Sequence, residues 1–416
     1  MRILYVHQFF AGPAAPGPAQ PRALVRHLAE RGHTVDVLAC DLNAYNEQTE
    51  PEEAYETPAG GAVRVQRLPT SRNLRASLAN RLKTYGRFAW AAYRCGRRLP
   101  APDVVLASIQ PLFGGFAALR LARHWRRPFL LEIRDLWPDA LVVKKAIAPW
   151  QAAPLQAMAR ALYFGANRVV CLTPGLKAEL LEKGVPAARL DVLPNGFEES
   201  LFRLEPGTRE KIRAELGWNG SFVAVYTGTH TEVTAVETLV RAGAALKNRR
   251  DIRLDLFGTG QTKPKAIALA QELGLDNVHF HDPVPKAQVP AILAAADAGL
   301  MTLFRSPLIH IYFENKLIDY MGAGKPILAA MEGVQADLIR RHGAGEVVPA
   351  FDHEGLARTI TAAADHPGRC REMGAAGHQF ISTRLVQRNI LERYTKTLET
   401  LAQGGIDRLE TWDPFQ

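Results

Sequence analysis

The sequence predicts an α/β fold of two doubly wound parallel-sheet domains. Short apolar runs alternate with stretches of helical spacing. The alternation pauses at a Pro and Asn-Gly turn cluster and then starts again. At 416 residues the chain also exceeds what one ordinary core holds.

In the first half, strands are expected at 3–7, 34–39, 63–68, 104–107, 129–133 and 169–172. Between them lie helical patterns such as 21–31, with Leu24 and Leu28 at helix spacing and Gly32 as a stop. The turn cluster Leu193-Pro194-Asn195-Gly196-Phe197 suits an interdomain connection. In the second half, strands are expected at 222–226, 252–257, 278–280, 298–301, 327–330 and 345–348, with helices at 235–247, 263–273 and 289–296. Residues 385–401 form an amphipathic helix with Leu391, Tyr394, Leu398 and Leu401 on one face, and Trp412 or Phe415 can dock the tail. The expected domains are 1–195, 196–384, and a segment 385–416 packing back on the first. In such sheets ligands sit at the carboxyl ends of the strands, so the loops after strands are where chemistry is sought.

Composition narrows the class. Hydrophobic content of 47% and charged content of 22% are those of a globular protein. No run of 18 or more apolar residues occurs, and residues 1–6 read as a strand instead of a signal peptide, so a cytoplasmic location is expected. Four cysteines (Cys40, Cys95, Cys171, Cys370) are scattered without a CxxC pair, which indicates neither zinc nor a disulfide framework. The net charge of +9 points to an anionic partner: nucleotide, nucleic acid or membrane lipid.

Residues 71–99 concentrate that charge, with eight basic residues (Arg72, Arg75, Arg81, Lys83, Arg87, Arg94, Arg97, Arg98) and no acid. On a helix all but Arg81 share an arc of roughly 140°, opposite Leu74, Leu78, Leu82, Tyr85, Phe88, Ala89 and Ala92. The pattern suits a helix lying on an anionic membrane, with Trp90 and Tyr93 at headgroup level. The bland alternative is a surface helix whose apolar stripe packs on its own domain. Nucleic acid is not expected as a partner, because no recognised binding motif accompanies the charge.

The stretch FENKLIDYMGAGKPIL (313–328) resembles the end of a P-loop only superficially. Asp319 stands where the first glycine belongs, Pro326 replaces the Ser or Thr, and the preceding residues read as a helix. Gly322, Gly324, Lys325 and Pro326 read as a helix exit and turn.

Four segments in order resemble the retaining glycosyltransferases of family 4, the GT-B architecture, and most closely the bacterial branch that builds O-antigens, capsules and related surface glycans. They are Glu132-Ile133-Arg134-Asp135-Leu136-Trp137-Pro138; Leu193-Pro194-Asn195-Gly196; Leu275-Asp276-Asn277-Val278 with Ala296-Asp297; and FENKLIDYMGAGKP. The resemblance implies two Rossmann-like domains facing a central cleft, with a nucleoside diphosphate sugar, expected to be UDP-linked, on the second and the acceptor on the first. The transferred sugar is expected to be a hexose or N-acetylhexosamine. The acceptor is expected to be a lipid-linked or growing saccharide at the inner face of a membrane. The resemblance also implies that no cofactor or metal is needed, and the chain has no Asp-x-Asp.

Site roles follow from the same resemblance. The family motif Glu-x7-Glu places Asp319 on the ribose hydroxyls, while Ile311 stands where the first acid belongs and Glu314 is its candidate substitute. Asn315, Lys316 and Leu317 open a helix whose free N–H groups and dipole favour phosphate. Gly228, Thr229 and His230 form the turn beside the phosphates and sugar. The downstream Arg and Lys of many members are absent, leaving Lys316, Arg305 or Lys263 as the diphosphate cations. Gly17, Gln20 and Arg22 belong to the acceptor or phosphate loop of the first domain. Asp135 is the candidate for orienting or deprotonating the acceptor hydroxyl, and Arg134 for holding an anionic group. The family view is a front-face reaction in which the leaving phosphate helps deprotonate the acceptor, without a covalent intermediate. Competing readings are a same-fold enzyme acting on a soluble secondary metabolite, an NDP-sugar 2-epimerase, and a non-enzymatic nucleotide-sugar binding module.

Overall fold

The computed structural model describes residues 1–13, 19–44, 47–71, 77–109, 111–143, 145–405, 412 and 414–415. The chain divides into two compact units, Met1–Asn195 with Arg388–Pro414, and Gly196–Gln387 with Phe415.

The first unit is built on eight strands: β1 Arg2–Val6, β2 Thr34–Cys40, β3 Glu53–Glu56, β4 Ala62–Leu68, β5 Val104–Ser108, β6 Phe129–Ile133, β7 Arg168–Cys171 and β8 Leu190–Val192. Their order is β3-β4-β2-β1-β5-β6-β7-β8. All neighbours are parallel except β3 and β4. β5, β6 and β7 are buried along their whole length, as strands covered on both faces by helices must be. Val6 lies opposite both Leu38 and Ala107. Chain order reverses on the two sides of β1, so the switch point lies at the carboxyl ends of β1 and β5.

Two strands escape the apolar-run reading. Glu-Ala-Tyr-Glu of β3 is polar because it is an antiparallel edge strand, exposed at Ala54, Tyr55 and Glu56. Leu190-Asp191-Val192 of β8 is too short to show a period.

The basic segment is a helix over Leu78–Gly96, and Arg72, Leu74 and Arg75 lie outside the described residues. Its start is capped by the Ser77 hydroxyl, which accepts from the Asn80 N–H. The structure corrects the membrane-facing reading of the apolar arc: Tyr85, Phe88 and Ala92 are buried within their own unit. Phe88 meets the helix Leu112–Trp125 at Gly114, where a Cβ would stand 3.2 Å from its ring. What remains outside is the basic face with Trp90, 62% exposed, and Leu82 at its edge. Arg94 lies over the Trp90 ring at 4.6 Å. The helix Gln387–Ala402 joins this unit from Arg388 onward, with Leu391, Tyr394, Leu398 and Leu401 buried.

The second unit has six strands, all parallel: β9 Phe222–Thr227, β10 Ile252–Phe257, β11 Val278–His281, β12 Ala298–Thr302, β13 Ile327–Ala330 and β14 Gly345–Val348. The order β11-β10-β9-β12-β13-β14 puts its switch point between β9 and β12. Asp297 organises the start of this sheet. Its carboxylate accepts from Arg209 (2.6 Å), Arg213 (3.1 Å) and the Val223 N–H (2.8 Å). Among the described residues no helix is long and apolar enough to cross a membrane.

Candidate active site

In the second unit, the loops after β9, β10, β11 and β12 and the start of the helix Asn315–Gly322 lie at the carboxyl edge of one sheet. The centre of this edge is Lys316, which is only 7% exposed. Its ammonium donates to the Tyr226 hydroxyl (2.9 Å), lies 3.1 Å from the Glu314 carboxylate and sits 4.1 Å from the Tyr226 ring centroid. Burial opposes the charge, but Glu314 and Tyr226 outweigh it and hold the ammonium above its ordinary pKa.

The same side chain supports the turn after β9. Gly228 has φ +149°, and a Cβ there would stand 3.1 Å from the Lys316 ammonium. The Tyr226 hydroxyl donates to the Thr229 carbonyl at 2.7 Å. Gly258 and Gly260 then admit this turn, since a Cβ at either would meet backbone of Gly228 or His230 at about 2 Å. His230 is fully buried, and neither ring nitrogen has a partner. Burial, followed by Lys263 and Lys316, pushes its pKa down to about 4, so the ring is neutral. Thr229 is exposed.

The remaining donor candidates have less freedom than their residue types suggest. The Lys263 ammonium donates to the carbonyls of Gly258 (2.8 Å) and His281 (2.7 Å), which makes it a brace. Arg305 pairs with Glu332 at 3.0 Å on the surface. Asn315 is exposed at the first position of its helix, whereas the Leu317 side chain is buried and its N–H bonds the Glu314 carbonyl. Ile311 is buried where the resemblance expects an acid. Both Asp319 oxygens accept from Lys286, at 2.6 and 2.7 Å. The Gly-Ala-Gly-Lys stretch is a helix exit: Gly324 has φ +64°, and the Lys325 ammonium donates to the carbonyls of Ala294 and Ala296.

In the first unit, Glu132 is 2% exposed, an acid inside an otherwise apolar strand. It accepts from the Tyr394 hydroxyl (2.9 Å) and from Arg134 (3.2 Å), and Arg134 also donates to Asn195 (3.0 Å). Arg134 is therefore part of a buried network, with its charge upheld by Glu132 against burial. Asp135 follows it, half-buried, at the end of β6. The Gln20 amide donates to the Pro194 carbonyl (3.3 Å). Arg22 grips both Glu53 oxygens at 2.8 Å and the Ala11 carbonyl, which ties the loop after β1 to β3. Gly17 lies outside the described residues.

At the switch point of this unit, His7 Nδ1, both ends of the Gln8 amide and Ser108 Oγ are buried without partners. Buried polar groups are normally satisfied, by protein, water or ligand. Glu132 stands in a motif segment but receives no role from it, and His7, Gln8 and Ser108 lie outside every motif. A lone acid in a fully apolar strand was the available signal for Glu132, because buried charges need partners. Among the described residues no three His, Cys, Asp or Glu side chains group to hold a metal ion.

Residues 19–196 match the glycosyl transferase 4-like domain, and residues 221–366 match the glycosyl transferases group 1 family. The chain belongs to the GT-B glycosyltransferases. A lipopolysaccharide core biosynthesis glycosyltransferase, LpsD of Rhizobium meliloti, is 27% identical over 56% of this chain and 63% of its own length. A GDP-mannose-dependent α-(1-6)-phosphatidylinositol monomannoside mannosyltransferase of Mycolicibacterium smegmatis is 26% identical over 47% of this chain and 52% of its own length. The chain thus spans roughly half to two-thirds of these relatives. Anabaena Alr3699/HepE in complex with UDP shares the fold, with TM-score 0.70 and 17% identity, over 96% of this chain and all of that one.

Proposed function

We propose that the protein transfers a hexose or N-acetylhexosamine from a nucleoside diphosphate, UDP in the first instance, to a lipid-linked or growing saccharide. The transfer retains anomeric configuration and needs no metal. The observation that carries this reading is the Gly228 turn resting on Lys316, with Glu314 and Asp319 on the same edge. Lys316 and the first turn of its helix neutralise the leaving diphosphate, where preorganised positive charge is worth most. Asp319 accepts the ribose hydroxyls, and the glycines let the backbone approach the sugar. The first unit holds the acceptor, with Asp135 and the unpartnered row of His7, Gln8 and Ser108 at its switch point. The UDP complex of the Anabaena fold relative and the lipopolysaccharide relative support the donor and acceptor classes; the mannosyltransferase makes GDP the competitor to test.

Thermal shift with UDP, GDP, ADP and TDP on wild type and Asp319→Ala tests the donor site. One nucleotide is expected to stabilise wild type and lose most of its effect in the variant. No stabilisation by any of the four overturns the assignment. Product analysis with and without acceptor separates a transferase from a 2-epimerase.

The exposed basic face of Leu78–Gly96, with Trp90 at its centre, is assigned to an anionic membrane surface. Flotation with anionic liposomes is expected to lose the protein when Arg87, Arg94, Arg97 and Arg98 become Gln. Equal flotation of both proteins refutes the assignment.

A further inference from the structure

Each of the three cations that motif reading offered to the diphosphate already has a protein partner: Lys316 has Glu314, Lys263 has two carbonyls, and Arg305 has Glu332. Lys286 belongs to no motif. It opens the single turn Lys286–Gln288 that follows β11, at the carboxyl edge of the second unit's sheet, and its side chain is 49% exposed. Across 33 residues of sequence, its ammonium donates to both oxygens of Asp319, the carboxylate assigned to the ribose.

The geometry of that pair leaves a specific residue of bonding capacity. An ammonium carries three donors and a carboxylate about four acceptor positions. Two bonds join them, so one N–H and two lone-pair positions remain, and no other hydrogen bond to either group is recorded among the described residues. Two acceptors beside one donor complement a cis-diol, whose hydroxyls each donate once and accept as well. Asp319 is also one methylene shorter than the glutamate that the family motif leads one to expect, so an ammonium alongside it compensates for reach. Only 13% of the Asp319 side chain is exposed. Burial pushes its pKa up, and Lys286 opposes that shift and favours the ionised, accepting form.

We propose that Lys286 is a second member of the ribose site: Asp319 accepts the protons of the 2′ and 3′ hydroxyls while the third N–H of Lys286 donates to a hydroxyl oxygen. The inference rests on the donor reading above. The simpler role for the same ion pair is a brace between the turn after β11 and the helix Asn315–Gly322, and the two roles differ in what they do to ligand recognition.

Calorimetric titration of UDP and 2′-deoxy-UDP into wild type, Lys286→Met, Lys286→Arg, Asp319→Asn and the Lys286→Met/Asp319→Asn double variant tests the proposal, with nucleotide-free thermal unfolding alongside. If GDP or ADP is the one bound, it and its 2′-deoxy form replace the UDP pair; preferred binding of TDP, which already lacks the 2′ hydroxyl, overturns the proposal. Wild type is expected to prefer the ribonucleotide about tenfold or more, the scale of a hydrogen bond to a charged group. Lys286→Met is expected to lose about tenfold in ribonucleotide affinity and most of the 2′-hydroxyl preference, with part restored in Lys286→Arg. The double variant is expected to bind no more than about twofold more weakly than Asp319→Asn, because the two groups act on one diol. Lys286→Met affinities equal to wild type, with only the unfolding temperature lowered, would show a brace and overturn the proposal. Equal weakening of both nucleotides overturns the ribose assignment. Absence of binding by wild type to all four nucleotides defeats the donor reading itself, and this inference with it.

Discussion

Replacing Glu132 by alanine should be among the most damaging single changes available in the first unit. The carboxylate is 2% exposed and accepts from Tyr394, from Arg134 and, at the 3.5 Å limit, from Tyr5. Its removal leaves the Arg134 guanidinium in the interior, bonded to the Asn195 side-chain oxygen but without its carboxylate. Orphaning one member of a buried ion pair costs about 3–5 kcal/mol, a large share of a typical stability of about 5–15 kcal/mol. Tyr394→Phe removes one hydroxyl bond and should cost about 1 kcal/mol. The double variant Glu132→Leu/Arg134→Met should recover most of the loss, because an apolar pair of similar volume carries no stranded charge.

Urea unfolding followed by tryptophan emission suits the measurement. Five of the six tryptophans (Trp90, Trp125, Trp137, Trp150, Trp412) lie in the first unit and only Trp218 in the second. A cost below about 1 kcal/mol for Glu132→Ala, or a double variant no more stable than the single, would refute the account of Arg134 as a charge held by Glu132.

Three further outcomes are expected. Asp297→Ala strands Arg209, Arg213 and the Val223 N–H and should destabilise the second unit by about 3 kcal/mol, read from Trp218 in a variant lacking the other tryptophans. His7 is buried, and burial lowers its pKa from 6.5 to about 4, with Glu132 opposing. The unfolded chain therefore takes up the proton first: stability is full above pH 6.5 and falls towards pH 4, by about 3 kcal/mol for this group. His7→Phe, placed against Tyr5 and Phe10, should flatten that part of the stability profile in unfolding measured from pH 7 to 4. Gly228→Ala combines φ +149° with a Cβ 3.1 Å from a Lys316 ammonium pinned by Glu314. It should cost about 1–3 kcal/mol and abolish the nucleotide-dependent thermal shift; unchanged behaviour would mean that the turn does not rest on Lys316.

Much of the architecture was legible because its signals are local. The expected bounds match β6, β10, β13 and β14 to the residue; in β6 and β13 a strand covered on both faces shows its burial in consecutive side chains. The helix-exit reading of Gly-Ala-Gly-Lys was local as well, because a chain-reversing glycine and a helix period lie within a few residues of each other. Strands β3 and β8 lacked such signals, one being a polar edge and the other three residues long. The basic helix showed its charge but not its neighbour: amphipathic spacing is the same whether the apolar arc meets lipid or, as here for Tyr85, Phe88 and Ala92, its own unit.

The sequence by itself determined the two doubly wound sheets, the order of the motifs and which loops lie at the carboxyl edges. These follow from periodicity, turn residues and the handedness of parallel crossovers, all set over short stretches of chain. Only the tertiary structure decided which charges remain available. Lys316 is matched to Glu314 two residues away, but Lys286 meets Asp319 across 33 residues and Glu132 meets Tyr394 across 262. A side chain's type states what it can bond, whereas its partner depends on how distant segments pack, and no local pattern encodes that distance.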